Sequence, residues 1–252
     1  MPSPTRIRET ATAVAVLAID RTPAGHAVTE LRRGTRIAPR ILDRGRGAVR
    51  AAFVPTQAGP LAGDRDSTRI VVGPGATLVV EPVAATLALP GAARTHLRLD
   101  ITVGAGGRLV LDEGPLIVAA GADVERRCML ELQAGAIAAL RETVILGRDG
   151  EPPGTLDSAL RVTLAGRPLL HDGLRCAGDA AHVALHPGHR VVTTISLLGA
   201  RPAIRGPHVL ELEGPGALLR ATGTASAATD AEVDATWRAW SAAASGDARG
   251  AG

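Results

Sequence analysis

The sequence contains no lysine, no asparagine and no tyrosine, and these absences exclude several classes of function. Because all 28 basic residues are arginine, the chain cannot form a Walker A phosphate loop, a kinase-type ATP site or a lysine Schiff base. Its aromatic residues are Phe53, Trp237 and Trp240. Proteins that bind single-stranded nucleic acid stack its bases on aromatic side chains, so the sequence argues against that partner.

Cysteines and long apolar runs are also scarce. The two cysteines, Cys128 and Cys176, are too few for a disulfide-stabilised scaffold. No stretch of 18 apolar residues is present, so we predict no membrane-spanning helix. The apolar run at residues 13–19 is short, ends at Asp20 and lacks the cleavage site of a signal peptide. We therefore predict a cytoplasmic protein with no membrane partner.

Charge and length favour one globular unit with a mixed surface. The 28 basic and 25 acidic residues alternate along the chain and give a formal charge of +3, which is not the pattern of a nucleic-acid footprint. With 252 residues, 46% of them hydrophobic, the chain can bury a large core. We predict a single β domain over residues 1–244 and a disordered tail over residues 245–252.

Short segments rich in β-branched residues predict an all-β fold. Between residues 96 and 103, Leu97, Leu99, Ile101 and Val103 alternate with polar residues, as in a strand with one buried face. Further strands are predicted at residues 69–72, 77–80, 108–111 and 128–132. Glycine and proline occupy the gaps and indicate tight turns.

The glycine turns recur along the chain. Residues 72–82 and 103–115 each contain a glycine turn, an apolar strand and an acidic residue near a proline, and Gly75, Gly106 and Gly135 lie about thirty residues apart. This period favours a solenoid-like stack of β units. A sandwich whose hairpins share the same turn chemistry explains the pattern equally well.

One helix is predicted near the C-terminus. The segment Thr-Asp-Ala-Glu at residues 229–232 has the pattern of a capping box, which would begin the helix at Thr229. Val233, Trp237 and Trp240 then fall on one helical face and are expected to pack on the sheet. The sequence also allows a second, shorter helix at residues 115–122 or 82–89.

The familiar catalytic signatures are absent, so the candidate functional residues are isolated acids. The sequence has no G-x-S-x-G, H-E-x-x-H, C-x-x-C or G-x-G-x-x-G motif. Asp64 follows Gly63 in a constrained loop, where it either bonds its own turn N–H groups or contacts a metal or a partner. Glu113 and Glu142 lie at strand ends; carboxylates in register suit a divalent cation, whereas solvated strand ends are the plainer explanation.

Two further groups of residues stand out in the sequence. His182, His186 and His189 cluster downstream of Cys176, and imidazole with thiolate suits nickel or zinc. No metal-ligand spacing repeats among them, so scattered surface histidines are the default interpretation. Arg148 and Glu151 flank a turn and are expected to form an ion pair.

An ordered set of motifs resembles the urease accessory protein D family (UreD, also called UreH). Residues 56–65, TQAGPLAGDR, resemble its glycine-rich segment, and residues 75–86, GATLVVEPVAAT, resemble the strand and turn that follow. Residues 142–148, ETVILGR, are similar to its E-x-x-x-x-G-R signature. The likeness runs from about residue 40 to residue 243. The motif positions carried over are Gly59, Gly63, Arg65, Thr86, Gly147 and Arg148.

The resemblance implies a non-enzymatic chaperone of urease maturation. It implies an all-β, stacked fold, partners in urease accessory proteins F and G (the latter a GTPase) and in urease apoprotein, and no tightly bound cofactor. Nickel would pass through the protein into the dinuclear urease site. A transit path needs weak oxygen ligands, and the resemblance together with the repeat nominates Asp64, Glu113 and Glu142 for it.

Two alternatives belong to other classes. One is a carbohydrate-active β-solenoid that uses paired carboxylates as acid and base, although such enzymes usually offer aromatic platforms that this chain lacks. The other is a β-solenoid scaffold unrelated to nickel.

Overall fold

The computed structural model describes residues 13–177, 188–203 and 208–246, which form two β-sheets and one helix. The first sheet contains seven strands: β1 (Ala15–Thr22), β2 (Gly25–Arg32), β5 (Arg65–Val72), β8 (Thr95–Val103), β10 (Asp123–Leu132), β12 (Thr155–Leu164) and β13 (Arg167–Cys176). Their spatial order is β13-β12-β10-β8-β5-β1-β2.

The second sheet contains nine strands. They are β3 (Ile37–Arg44), β4 (Val49–Pro55), β6 (Thr77–Val80), β7 (Thr86–Ala88), β9 (Arg108–Val118), β11 (Ile137–Leu146), β14 (Val191–Leu198), β15 (Val209–Glu211) and β16 (Gly216–Gly223). Eight follow the order β15-β16-β14-β11-β9-β6-β4-β3, and β7 pairs separately with β9. The helix α1 spans Ser226–Ser245.

The centre of the molecule is a stack of coils that alternate between the two sheets. The chain passes from β8 in the first sheet to β9 in the second, and back to β10. Strands of successive coils therefore lie side by side and run parallel: β5, β8, β10 and β12 in one sheet, and β4, β6, β9 and β11 in the other. The predicted all-β, solenoid-like fold is confirmed, and antiparallel strands flank the stack on both sides.

The recurring glycines form the turns that join the first sheet to the second within each coil. Gly75, Gly106 and Gly135 have φ values of 63°, 63° and 70°, a region that side chains disfavour. The N–H group of Gly75 donates to the carbonyl of Ala105, and that of Gly106 to the carbonyl of Ala134, each at 3.0 Å. Each turn is therefore hydrogen-bonded to the turn of the next coil, which explains the period seen in the sequence.

The helix begins earlier than the sequence predicts. Its N-cap is Ala225, which makes no side-chain capping bond, and Thr229 lies inside the helix. The Thr229 hydroxyl donates to the Ser226 carbonyl at 3.0 Å and accepts from the Thr193 hydroxyl at 2.9 Å. The predicted capping box is wrong because this buried threonine attaches the helix to β14 instead of capping it.

The far end of the helix agrees more closely with expectation. Val233 and Trp240 are buried against the outer face of the second sheet, and Trp237 packs at the edge of the same cluster. The helix runs through Ser245 to a left-handed C-cap at Gly246, so it includes one residue assigned to the tail. Residues 247–252 lie outside the described residues.

The second helix that the sequence allowed is absent from both segments. Residues 115–118 complete β9, where Leu116 pairs with Val144, and residues 82–89 contain the short strand β7. Because Thr86 pairs in turn with Leu116, both segments are held extended by sheet hydrogen bonding.

Two apolar clusters fill the space between the sheets, and a polar layer divides them. Along β10 the inward positions run from Val124 in one cluster through Arg126 to Cys128 in the other. Along β11 they run from Leu140 through Glu142 to Val144. Since the period of a strand is two residues, these charged side chains point into the molecule rather than to its surface. This polar layer is the natural place to look for a functional site.

Candidate functional site

Three adjacent cavities follow the polar layer. We call them the loop cavity, the central cavity and the far cavity, with volumes of about 90, 100 and 20 Å³. The loop and central cavities share Asp66, Thr86 and Glu113 in their walls. The central and far cavities share Arg126 and Glu142. A single water molecule needs about 10–15 Å³, so the two larger cavities have room for several and the far cavity for about one.

The glycine-rich loop closes one end of this row. Gly59 and Gly63 have φ values of 102° and 85°, and a Cβ on Gly59 would lie 2.7 Å from the N atom of Leu61. The carboxylate of Asp64 accepts a hydrogen bond from the N–H group of Leu61 at 2.7 Å. It also forms an ion pair with Arg36 at 3.0 Å. Asp64 thus makes the turn bond expected of aspartate in such a loop.

Asp66, two residues further on, is the carboxylate of this segment that faces the cavities. It lies at an inward position of β5, is 8% exposed and accepts from Nε of Arg36 at 2.9 Å. Burial raises the pKa of Asp66 above its usual value, and the Arg36 hydrogen bond opposes that rise. Asp66 lines both the loop and the central cavity, whereas Asp64 lines none of the three.

A β-bulge directs Glu113 towards Arg126, with its side chain still 36% exposed. Arg141 of β11 pairs with Asp112, but Thr143 pairs with Pro115, so Glu113 and Gly114 together oppose one residue. Gly114 has a φ of 76°, and its N–H group donates to the Asp112 carboxylate at 3.0 Å. Bulges of this kind redirect side chains. Here the bulge places Glu113 in the wall of the loop and central cavities.

Arg126 joins two of the predicted residues. One terminal nitrogen of its guanidinium donates to Glu142 and the other to Glu113. Burial alone would lower the pKa of Arg126, but the charges of Glu142 and Glu113 outweigh burial and raise it above its ordinary value. The structure therefore brings together Glu113 and Glu142, nominated separately from the sequence, and places a permanent cation between them.

A partly buried arginine, Arg220, faces the far cavity. Arg220 of β16 donates to Asp172 of β13 at 2.5 Å and to the Thr194 hydroxyl at 2.9 Å. Strands from opposite sheets thus meet at this point through charged side chains. Among the residues that line the three cavities, Glu81, Asp112 and Arg98 turn their charged groups outward to Arg50, Arg141 and Asp100. Four carboxylates (Asp66, Glu113, Glu142 and Asp172) and three guanidiniums (Arg36, Arg126 and Arg220) then face the cavities.

The remaining motif residues have mainly structural surroundings. Arg65 begins β5 on the exposed side, whereas Thr86 of β7 lines the loop and central cavities. Gly147 has a φ of 76°, and a Cβ there would lie 2.6 Å from the carbonyl oxygen of Pro152.

The predicted ion pair between Arg148 and Glu151 is present. Nε of Arg148 donates to the Glu151 carboxylate at 2.7 Å, and the Arg148 N–H group donates to it at 3.1 Å. These bonds lower the pKa of Glu151 to about 2.

The histidine cluster lies only partly within the described residues. His182 and His186 lie outside the described residues. His189 lies within hydrogen-bonding distance of the Thr222 hydroxyl, with Nδ1 and Oγ1 2.8 Å apart. Cys176 is buried, and burial raises the pKa of its thiol. Over residues 13–177, 188–203 and 208–246, no group of three or more His, Cys, Asp or Glu side chains is placed to hold a metal ion.

Sequence reasoning missed most of the polar layer, including Arg36, Asp66, Arg126, Asp172 and Arg220. The signal was nevertheless present for Arg126, which interrupts a series of apolar residues at every second position of β10. Asp66 only precedes Thr68 and Ile70 on its face of β5, so its signal was weaker. Asp172 and Arg220 carry no such signal without the pairing of the strands.

Among the described residues, no helix is long and apolar enough to cross a membrane.

Comparison with known proteins points to one family. The profile of the UreD urease accessory protein family matches residues 12–249. Urease accessory protein UreD 1 of Streptomyces griseus is 37% identical over 232 residues, which cover 89% of this chain and 90% of that protein. UreD of Parafrankia sp. is 35% identical over 246 residues, covering 84% and 83%. UreD of Frankia alni is 49% identical over 111 residues, covering 43% and 37%.

Proposed function

The chain belongs to the UreD urease accessory protein family, and on that premise we propose that it serves urease maturation as a non-catalytic scaffold through which nickel passes. The nickel ion is cargo in this proposal and not a resident cofactor. Urease apoprotein receives the ion, and the chain acts in the cytoplasm together with accessory proteins F and G.

The observation that carries the proposal is the row of cavities along the polar layer. The row extends from the glycine-rich loop at Asp66 to the strands that bear Asp172 and Arg220. Four carboxylates face it against three guanidiniums, a formal balance of −1 when all are ionised. A negative lining lowers the free energy of a cation inside a protein, where charges are screened far less than in water.

The donor chemistry suits transit better than storage. Carboxylate oxygens bind nickel more weakly than imidazole or thiolate ligands do, and the acids here come singly or in pairs along the row. An ion held by one or two such oxygens can leave again, whereas a closed cage of four ligands would retain it. The described residues contain no cage of that kind.

The GTPase partner would supply the nucleotide-binding site that this chain lacks. Without lysine the chain has no Walker A loop, so nucleotide-driven steps belong to the GTPase partner. We therefore assign this chain a passive role: it positions the apoprotein and offers a route lined with carboxylates. The contacts with each partner belong to this proposal.

The test is complementation of a urease operon from which only this reading frame has been deleted. The intact chain should restore urea hydrolysis and the nickel content of the purified urease. Glu142→Gln should lower both, because it removes a cavity carboxylate, whereas Glu131→Gln on the solvent-facing side of β10 serves as the matched control. Failure of the intact chain to restore nickel, with matched and well-expressed partners, would refute the proposal.

A further inference from the structure

Arg126 stands in the wall between the central and far cavities. It lines both, and its side chain is 12% exposed, like that of Glu142 at 16%. The far cavity is the narrowest of the three, at about 20 Å³ against about 100 Å³ for the central one. Any ion moving along the row must therefore pass this guanidinium.

The guanidinium occupies the position between the carboxylates that a cation would take. Its two terminal nitrogens contact Glu142 of β11 and Glu113 of the β9 bulge. Two carboxylates and one guanidinium leave a local balance of −1. The next residue on the strand, Arg127, points the opposite way and pairs with Asp157 at 3.1 Å. Arg126 therefore points between the sheets, whereas Arg127 points to the outer face of the first sheet.

We infer that Arg126 is the gate of the row, holding Glu113 and Glu142 closed until a divalent cation displaces its guanidinium from them. This inference rests on the proposed passage of nickel and assigns its selectivity to one residue. No proton transfer opens the gate, because arginine stays charged at any physiological pH. The opening step is an exchange of one cation for another at the same two carboxylates.

The exchange favours doubly charged ions. A monovalent cation offers the carboxylates the same charge as the guanidinium but none of its directed N–H bonds, so it should not displace it. A divalent cation doubles the Coulomb attraction at similar distance and, once the guanidinium has moved away, neutralises the two carboxylates. The gate would therefore exclude sodium and potassium while admitting nickel.

The test is nickel binding by the full chain, carried on a soluble fusion partner, in equilibrium dialysis with radioactive nickel. Arg126→Met removes the competing charge while keeping a long apolar stem. We expect it to bind one additional nickel ion, at least about tenfold more tightly than the intact chain binds at this position. Arg127→Met, on the same strand and facing solvent, should bind as the intact chain does.

A triple variant locates the added ion. Replacing Glu113 and Glu142 with glutamine in the Arg126→Met background should abolish the extra binding. The inference is overturned if Arg126→Met gains no nickel, or if the gain survives in the triple variant. It is also overturned if potassium at equal concentration suppresses the added binding.

Two controls separate folding and function from the gate. Circular dichroism reports whether each variant folds. If Arg126→Met does not fold, Arg126→Lys takes its place. It keeps the charge but bridges the two carboxylates less well than the planar guanidinium does, so it should show a smaller gain, and no gain would contradict the gate. Complementation by the intact chain tests the proposed nickel route, whereas nickel binding by the Arg126 variants tests the gate. Failure of one proposal can therefore be told from failure of the other.

Discussion

Arginine is the one permanently charged cation available to the interior of this protein, because the chain has no lysine. Its planar guanidinium has several donors and can bridge groups on different strands, which a lysine ammonium does less well. Arg36 contacts both Asp64 and Asp66, and Arg126 contacts both Glu113 and Glu142. At the residue scale, these bridges hold the loop, the bulge and the two sheets in fixed relation around the cavities.

Arg36 provides a test of this structural role. Arg36→Met should lower the free energy of unfolding by about 3–5 kcal/mol, because it leaves the buried Asp66 carboxylate without its partner. Adding Asp66→Asn should recover part of the loss by removing the uncompensated charge. Urea denaturation measures both. A single variant as stable as the intact chain would show that the ion pair contributes nothing to the fold.

The turn at Arg148 and Glu151 should respond to acid. The pKa of Glu151 is lowered from its model-compound value of 4.5 to about 2, so its bonds stabilise the turn above about pH 4.5. That contribution is lost as the pH falls from about 4.5 towards 2. NMR titration of the Glu151 carboxyl should give a midpoint near 2 in the intact chain and a higher one in Arg148→Gln. Equal midpoints in the two proteins would contradict this cause.

At the element scale, the bulge in β9 leaves less room for a side chain than the glycine turns that join the two sheets. A Cβ on Gly114 would lie 2.8 Å from the Ala84 carbonyl oxygen, at a φ of 76°. A Cβ on Gly106 would meet nothing within 4 Å, although its φ is 63°. The two glycines therefore differ in steric contact while sharing the same backbone region.

This difference predicts unequal effects of the same substitution. Gly106→Ala should cost about 1 kcal/mol, the conformational cost alone. Gly114→Ala should cost more, by a further 1–3 kcal/mol or so, because the surrounding backbone must shift as it does in an overpacked core. Urea denaturation of the pair measures the difference. Equal losses would show that the bulge accommodates a methyl group without rearrangement.

Strands and their stacking could be predicted because each leaves a local signal. Alternation between residues 96 and 103 gave β8 within one residue, and residues 77–80 gave β6 without error. The helix start could not be predicted, since Thr229 carries the sequence of a cap but bonds to Thr193 of a strand far away in the chain. The extended segment at residues 82–89 was equally hidden, because β7 exists only through its pairing with β9.

At the scale of the whole molecule, the two faces of the second sheet have different roles. The helix covers the outer face of the second sheet, where Trp240 is buried and Arg141 bonds Asp230 at 2.6 Å. The cavities lie on the other face of that sheet, between it and the first sheet. The helix and the row of cavities therefore contact the same strands, but through side chains on opposite faces of the sheet.

The candidate site could be predicted only in part for the same reason. Glu113 and Glu142 were found from the repeat and the family motif, and they do lie together. Asp64 was nominated from the motif, but its Oδ2 contacts the loop N–H of Leu61 and Arg36, while Asp66 faces the cavities. Which of two nearby aspartates points inward depends on strand register, and register follows from tertiary pairing. Whether any of these residues contacts nickel stays a prediction.

The continuity of the row gives a prediction that depends on volume alone. Thr86 of β7 lies in the wall shared by the loop and central cavities, which hold only about 90 and 100 Å³. Thr86→Phe places a large apolar ring there at a cost of about 1–3 kcal/mol in stability, without changing any charge. If nickel travels along the row, this variant should lower the nickel content of urease, in the complementation assay, towards that of the strain lacking the gene.

A matched variant separates blockage from instability. Thr102 lies on β8 between the inward-facing Ile101 and Val103, so Thr102→Phe adds the same ring to the opposite face of the sheet. It should leave nickel delivery intact. Loss of nickel in Thr86→Phe alone, with both variants folded and assembled with the apoprotein, is the result that a route through the interior requires. Equal nickel content in the two variants would instead place the route on the surface or in a partner, because a filled cavity cannot conduct an ion.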